Sequence, residues 1–208
     1  NHSNSFPFIT YSLITINVLI FLYQFGLNET QLGEFINTYA IIPSEVMRTG
    51  WSNSIITAMF LHGSIGHIVG NMMFLNIFGD NLEDRLGKLK FILYYLLCGI
   101  AGSYLQILSD PNSTIPNLGA SGAIAGLMGG YLILFPKHQI DILIPFGMLM
   151  ETATVPAYTM LFYWVIAQLF GSIGQLAYSG GGIAYLAHLG GFIAGIILIK
   201  ILSPKKVY

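Results

Sequence analysis

Six long apolar blocks run along this chain, separated by polar stretches of very unequal length. The first block, about residues 8–25, is rich in Ile, Leu, Phe and Tyr, and Pro7 suits a first helical turn. A segment too polar to span a bilayer follows, about 26–63, with Glu29, Glu34, Glu45 and Arg48. Its part 51–61 reads as a short interfacial helix with Trp51 at headgroup depth. The second helix starts near Ser64, a capping residue, and runs to about Gly79. Residues 80–90 read as a charged loop holding Asp80, Glu83, Asp84, Arg85, Lys88 and Lys90. A third helix covers about 89–108 and ends in a polar turn at 109–114. The fourth, about 120–135, is stopped by Pro136 and is short for a span of about 20 residues. Burial inside a bundle would explain that length. Residues 137–154, broken by Asp141, Pro145, Gly147 and Glu151, read as a loop or interfacial segment. The fifth helix is about 156–176, the turn at 179–182 is Gly-rich, and the sixth helix is about 183–202.

Composition turns this pattern into a class. The 208 residues are 54% hydrophobic and 8% charged, where globular domains carry about 25% charge. No single water-soluble core needs so much apolar sequence, so the chain reads as an all-α membrane protein, a bundle of six transmembrane helices. A net charge of −1 gives no reason to expect nucleic acid. The lone Cys98 excludes a disulfide framework and a thiol metal site. No basic segment precedes the first block and no cleavage pattern follows it, so it reads as a retained helix. With the N-terminus inside, the inner side holds Arg85, Lys88, Lys90, Lys137, Lys200, Lys205 and Lys206, and the outer side Arg48 alone. That bias places both termini in the cytoplasm.

Candidate chemistry sits where three helices enter from the outer face. Gly119-Ala120-Ser121-Gly122 opens the fourth helix, so Ser121 should lie in its first turn, near free N–H groups and the positive dipole end. Such a serine could be a nucleophile, or equally a small polar residue letting two helices touch. His67 follows Ser64 by three residues, and His188 follows Ile183 by five. At 1.5 Å per residue all three lie within about 10 Å of their helix starts. Gly191 and Gly195 form a GxxxG face that can pack on the small face of the fourth helix. If those helices touch, His188 can take the Ser121 proton as general base. Otherwise it is a buried histidine bonded to a carbonyl. His67 and Asn71, at i and i+4, can point donors at one spot, as an oxyanion hole with the Ser121 N–H or as interhelical glue. His62, His67 and His188 could in principle hold zinc, but no HExxH pattern and no carboxylate accompany them, so neither metal nor cofactor is expected.

Together these motifs resemble the rhomboid intramembrane serine proteases. Gly119-x-Ser121-Gly122 resembles their GxSG motif, His67-x-x-x-Asn71 their HxxxN, and Ala187-His188-x-x-Gly191 their AHxxG, in the same order on the second, fourth and sixth helices. Glu83-Asp84-Arg85-Leu86-Gly87 resembles the charged cap after their second helix. The resemblance covers nearly the whole chain and implies a single rhomboid-like protease domain over 1–208. It implies a Ser121–His188 dyad without an aspartate, with His67, Asn71 and the Ser121 N–H as oxyanion donors. It implies cleavage of single-pass transmembrane proteins near the outer face, inside the bilayer of the cell (plasma or inner) membrane. The fifth helix would be a lateral gate, with Phe162 and Trp164 as gate residues or lipid-facing anchors. Three positions depart from the family pattern. Trp51 is followed by Ser52 and not Arg, Ala125 stands where many members stack an aromatic ring on the catalytic histidine, and Gly70 stands where a bulky gate residue can occur. Two other classes remain: a catalytically silent relative that binds membrane clients, and a transporter or proton channel. A transporter would spread ionisable groups across the membrane depth, whereas here they stop at one layer.

Overall fold

The first apolar block forms helix α1, Phe8–Phe25, in this computed structural model, which describes residues 5–50, 52–146, 149–177 and 184–203. Trp51, Gly147, the turn expected at 179–182, Ile183, Lys205 and Lys206 lie outside those residues. α1 is apolar nearly all round, yet Thr10, Asn17 and Gln24, one per two turns, are buried and mark the face turned inward. Gln24 pairs with the backbone of His62 in both directions, at 3.3 and 3.2 Å.

The long polar segment is more ordered than its composition suggests. It folds into α2 (Glu29–Tyr39), α3 (Pro43–Thr49), α4 (Ser54–Thr57) and a 3-10 turn (Ala58–Phe60). A capping box starts α2, where Asn28 and Gln31 exchange side-chain and backbone hydrogen bonds.

Helix α5 spans Ile65–Leu86, and the Ser64 hydroxyl accepts from the His67 N–H at its start. It runs past Gly79 through most of the stretch read as a charged loop. Asn81, Leu82, Glu83 and Leu86 are buried, so the charged residues continue the helical spacing of the apolar block. Glu83 is turned inward onto α1, accepting from the Ile9 and Thr10 N–H groups at 2.9 and 2.8 Å and from the Thr10 hydroxyl at 2.8 Å. Those N–H groups have no partner within their own helix, and the carboxylate sits at the positive dipole end. Gly87, with φ +75°, ends α5.

α6 (Lys88–Ser109), α7 (Ser121–Leu134), α8 (Ala157–Ala177) and α9 (Tyr185–Leu202) complete the helices. Between α7 and α8 the stretch read as a loop pairs with itself instead. β1 (Gln139–Phe146) and β2 (Leu149–Pro156) form an antiparallel hairpin from Gln139↔Pro156 to Phe146↔Leu149. Ile140, Ile142, Thr152, Thr154 and Val155 are β-branched, a strand preference that outweighs the two charges. Asp141 is satisfied across the pair by the Thr154 hydroxyl at 2.6 Å.

Among the described residues α1, α6 and α9 are long and apolar enough to cross a membrane. A fourth span arises if 54–60 and α5, bent by 94°, count as one. α7 and residues 157–173 of α8 are shorter apolar helices. Large apolar side chains such as Leu19, Leu22, Leu89 and Ile201 stand on the outer surface, as lipid contact requires.

α7 is the centre of the bundle, with every residue from Gly122 to Tyr131 buried. α9 lies against it at backbone distance. A Cβ added at Gly191 would fall on the Gly122 carbonyl oxygen, and one at Gly195 on the Gly126 carbonyl oxygen. This is the close approach that a GxxxG face permits. The Tyr94 hydroxyl of α6 ties the pair, 2.7 Å from Gly126 O and 3.0 Å from Gly195 O.

Candidate active site

Two devices bring Ser121 to its place as the first residue of α7. Asn117 and Ile41 exchange backbone hydrogen bonds of 2.9 and 2.7 Å, and the Gly119 N–H donates to Ala58 O at 2.9 Å. Both anchors belong to the polar segment between α1 and α5, which therefore braces the loop that leads into Ser121. Gly119 has φ +126°, a conformation that L side chains rarely adopt.

Because α9 packs so closely on α7, His188 in the first turn of α9 reaches Ser121. Its Nε2 is 2.8 Å from Ser121 Oγ. Its Nδ1 is 2.7 Å from Oε1 of Gln168, a buried amide on α8. The aromatic neighbours of the ring are Trp164, at 6.0 Å and 33°, and Tyr185, at 6.4 Å and 77°. The side contacts that α7 does not provide at Ala125 thus come from α8 and from α9 itself.

His67 and Asn71 lie one turn apart on α5. The Gly63 N–H points at His67 Nδ1 across 3.4 Å, which leaves Nε2 to carry the proton of a neutral ring. That Nε2 faces the Gly119 backbone, where an added Cβ would come within 2.8 Å of it. Asn71 is 7% exposed, and its Nδ2 has no hydrogen-bond partner among the described residues. A buried donor left unpaired is costly, and it is a group ready for an incoming acceptor.

These residues surround one cavity of about 640 Å³. Ser121, His188, His67, Asn71, Trp164 and Met128 are on its wall, and no carboxylate is among its described lining residues. Gly66 and Gly70 also line it, and a Cβ at either would meet nothing within 4 Å. At these two positions α5 therefore adds no bulk to the cavity. Phe162 lies elsewhere, 62% exposed beside Tyr158 and Leu161 in a separate groove of α8. Among the described residues no three His, Cys, Asp or Glu side chains are grouped to hold a metal ion.

Chemically, a hydroxyl hydrogen-bonded to an imidazole at a helix start, with donors nearby, can perform acyl transfer. Sequence reasoning did not find Gln168. The available signal was an amide within the otherwise apolar or aromatic run 161–170, since a polar group in a membrane helix is expensive unless partnered. The brace from Ile41 and Ala58 left no signal, because backbone contacts carry no residue signature.

Residues 45–205 match the family model described as the Rhomboid domain. The chain is 29% identical over 194 residues to the mitochondrial Rhomboid protein 1 of Saccharomyces cerevisiae, covering 91% of this chain and 51% of that protein. It is 30% identical over 154 residues to the putative rhomboid protease YdcA of Bacillus subtilis, covering 73% of this chain and 68% of that one. Rhomboid-like protease 3 of Toxoplasma gondii is 29% identical over 149 residues, covering 70% and 49%. The chain spans about half the length, or less, of several of the curated relatives it matches.

Proposed function

The chain belongs to the rhomboid family of membrane proteins, and on that footing we propose that it is an intramembrane serine endopeptidase working by a Ser121–His188 dyad. The observation that carries the reading is the 2.8 Å contact between Ser121 Oγ and His188 Nε2. It joins residues 67 positions apart on helices packed at glycine distance. The Ser121 oxygen attacks the scissile carbonyl carbon while its proton passes to His188 Nε2. The carbonyl oxygen becomes an oxyanion, accepting from the Ser121 N–H, His67 Nε2–H and Asn71 Nδ2–H. Collapse expels the amine, which takes the proton from His188. Water, deprotonated by the same ring, then hydrolyses the acyl-enzyme ester and restores the hydroxyl.

The substrates in this reading are single-pass transmembrane proteins entering from the bilayer beside α8. They are cut near the outer face of a six-span domain, over 1–208, with both termini cytoplasmic. Trp164, on the cavity wall, is the inner gate residue, and Phe162, exposed on the same helix, is the outer one. The membrane is the plasma or inner membrane; a mitochondrial relative makes organelles the comparison to run in localisation experiments.

The test is a fluorophosphonate probe on detergent-solubilised protein, with the modified residue identified by mass spectrometry. Labelling at Ser121, lost in His188→Ala, together with cleavage of a transmembrane substrate lost in Ser121→Ala, is the expected result. No labelling, or unchanged cleavage by Ser121→Ala, sinks the proposal. A folded protein that binds membrane clients without labelling would point to the catalytically silent alternative.

A further inference from the structure

We infer that Gln168 is a positioning residue that sets the tautomer and plane of the His188 ring. The inference rests on the dyad reading above. Gln168 is 8% exposed, and its Oε1 lies 2.7 Å from His188 Nδ1. An amide oxygen only accepts, so Nδ1 carries the ring proton in this pairing. The lone pair of a neutral imidazole is then on Nε2, the atom 2.8 Å from Ser121 Oγ. That is the tautomer a general base needs. Without an acceptor at Nδ1 the ring would populate both tautomers, and one of them presents N–H to the serine and cannot take its proton.

The same helix face holds the ring in plane. Trp164 and Gln168 are at i and i+4 on α8, so they stand side by side toward α9. Trp164 lies against one side of the imidazole at 6.0 Å, while Gln168 holds its edge. On α7 the residue one turn after the nucleophile is Ala125, whose methyl offers no ring to stack on. α8 therefore supplies both constraints. A buried amide in a membrane helix is costly unless it is hydrogen-bonded, and among the described residues Nδ1 of His188 is the bond that Gln168 Oε1 makes. Among the described residues the other ionisable groups beside the ring are His67 on α5 and Tyr185 on α9, and no carboxylate lines the cavity. Among the described residues no side-chain anion faces the imidazolium formed during attack, and the Gln168 amide oxygen is the group that accepts from its Nδ1–H.

The experiment measures Ser121 labelling by a fluorophosphonate as a function of concentration and pH, in detergent, for wild type, Gln168→Leu, Gln168→Glu and His188→Ala. Gln168→Leu should lower the maximal labelling rate about tenfold, the size of one lost hydrogen bond, with little change in half-saturating probe concentration. Gln168→Glu keeps an acceptor in place and adds a charge that favours imidazolium. Its labelling should recover at alkaline pH, with the acid limb of the profile moved up by about one unit or more. A merely structural glutamine would change the melting temperature of Gln168→Leu and leave its labelling profile where it was. If Gln168→Leu labels within twofold of wild type with the same profile, or Gln168→Glu shows no shift of the limb, the inference is overturned. Loss of labelling in His188→Ala shows in the same series that the dyad reading survives that result. If His188→Ala labels as fast as wild type, the dyad reading fails and this inference with it. Should Gln168→Leu not fold, the pH limb of Gln168→Glu decides.

Discussion

Gly119→Ala tests the loop of the proposed nucleophile with a single methyl. Two costs can be worked from the structure. The first is conformational: φ at Gly119 is +126°, and an L residue held in such a region costs about 1–3 kcal/mol. For a chain of this length that is a fall in melting temperature of roughly 2–12 °C. The second is catalytic. The new Cβ would lie 2.8 Å from both Cε1 and Nε2 of His67, so the ring must retreat by several tenths of an ångström. His67 lines the cavity, so its ring has space beside it into which it can turn. His67 escapes, but its donor no longer points where the oxyanion forms in the proposed mechanism. Loss of one such donor lowers turnover by about 10²–10³. Gly119→Ala should therefore stay folded and cleave a transmembrane substrate about 100-fold more slowly. The decisive arm is a double-mutant cycle with His67→Ala. If the methyl acts through His67, adding it to His67→Ala costs little further activity. Cleavage within threefold of wild type, or losses that simply multiply in the double variant, would refute the reasoning.

Cys98 is the only cysteine and is fully buried, so a thiol-reactive dye reports unfolding directly and serves the other variants. Glu83→Gln leaves at least one donor of α1 facing an amide N–H in place of a carboxylate oxygen. It should cost about 2–3 kcal/mol and lower the melting temperature by roughly 4–12 °C; an unchanged melting curve would show that the α1 cap contributes nothing. Gly195→Val drives a side chain onto the Gly126 carbonyl and should abolish the cooperative transition, whereas Gly33→Ala, with nothing within 4 Å of its Cβ, should raise it slightly. A Gly195→Val protein melting within 2 °C of wild type, by about 1 kcal/mol, would mean that α7 and α9 separate without cost.

Much of this protein was legible in the order of its residues. The long helices follow from apolar blocks, and α1 ends where the block ends, because membrane helices need length and hydrophobicity more than any tertiary partner. The Ser64 cap, and the closeness of Gly191 and Gly195 to α7, follow from local chemistry and a small-residue period. Candidate site residues were legible because a histidine, asparagine or serine in an apolar run stands out. What the residues alone did not decide depends on neighbours. Charged residues 80–86 became helix because Glu83 found the start of α1, a partner 73 positions or more away. Residues 139–146 and 149–156, mostly within the stretch read as a loop, became paired strands because each supplied the other's hydrogen bonds. The support of His188 by Gln168 and Trp164 came from packing α8 on α9, and a contact between two spans leaves no periodicity in either. Sequence determined which groups are present and at what depth along each helix. Only the packing of helices at backbone distance decided which atoms of those groups meet.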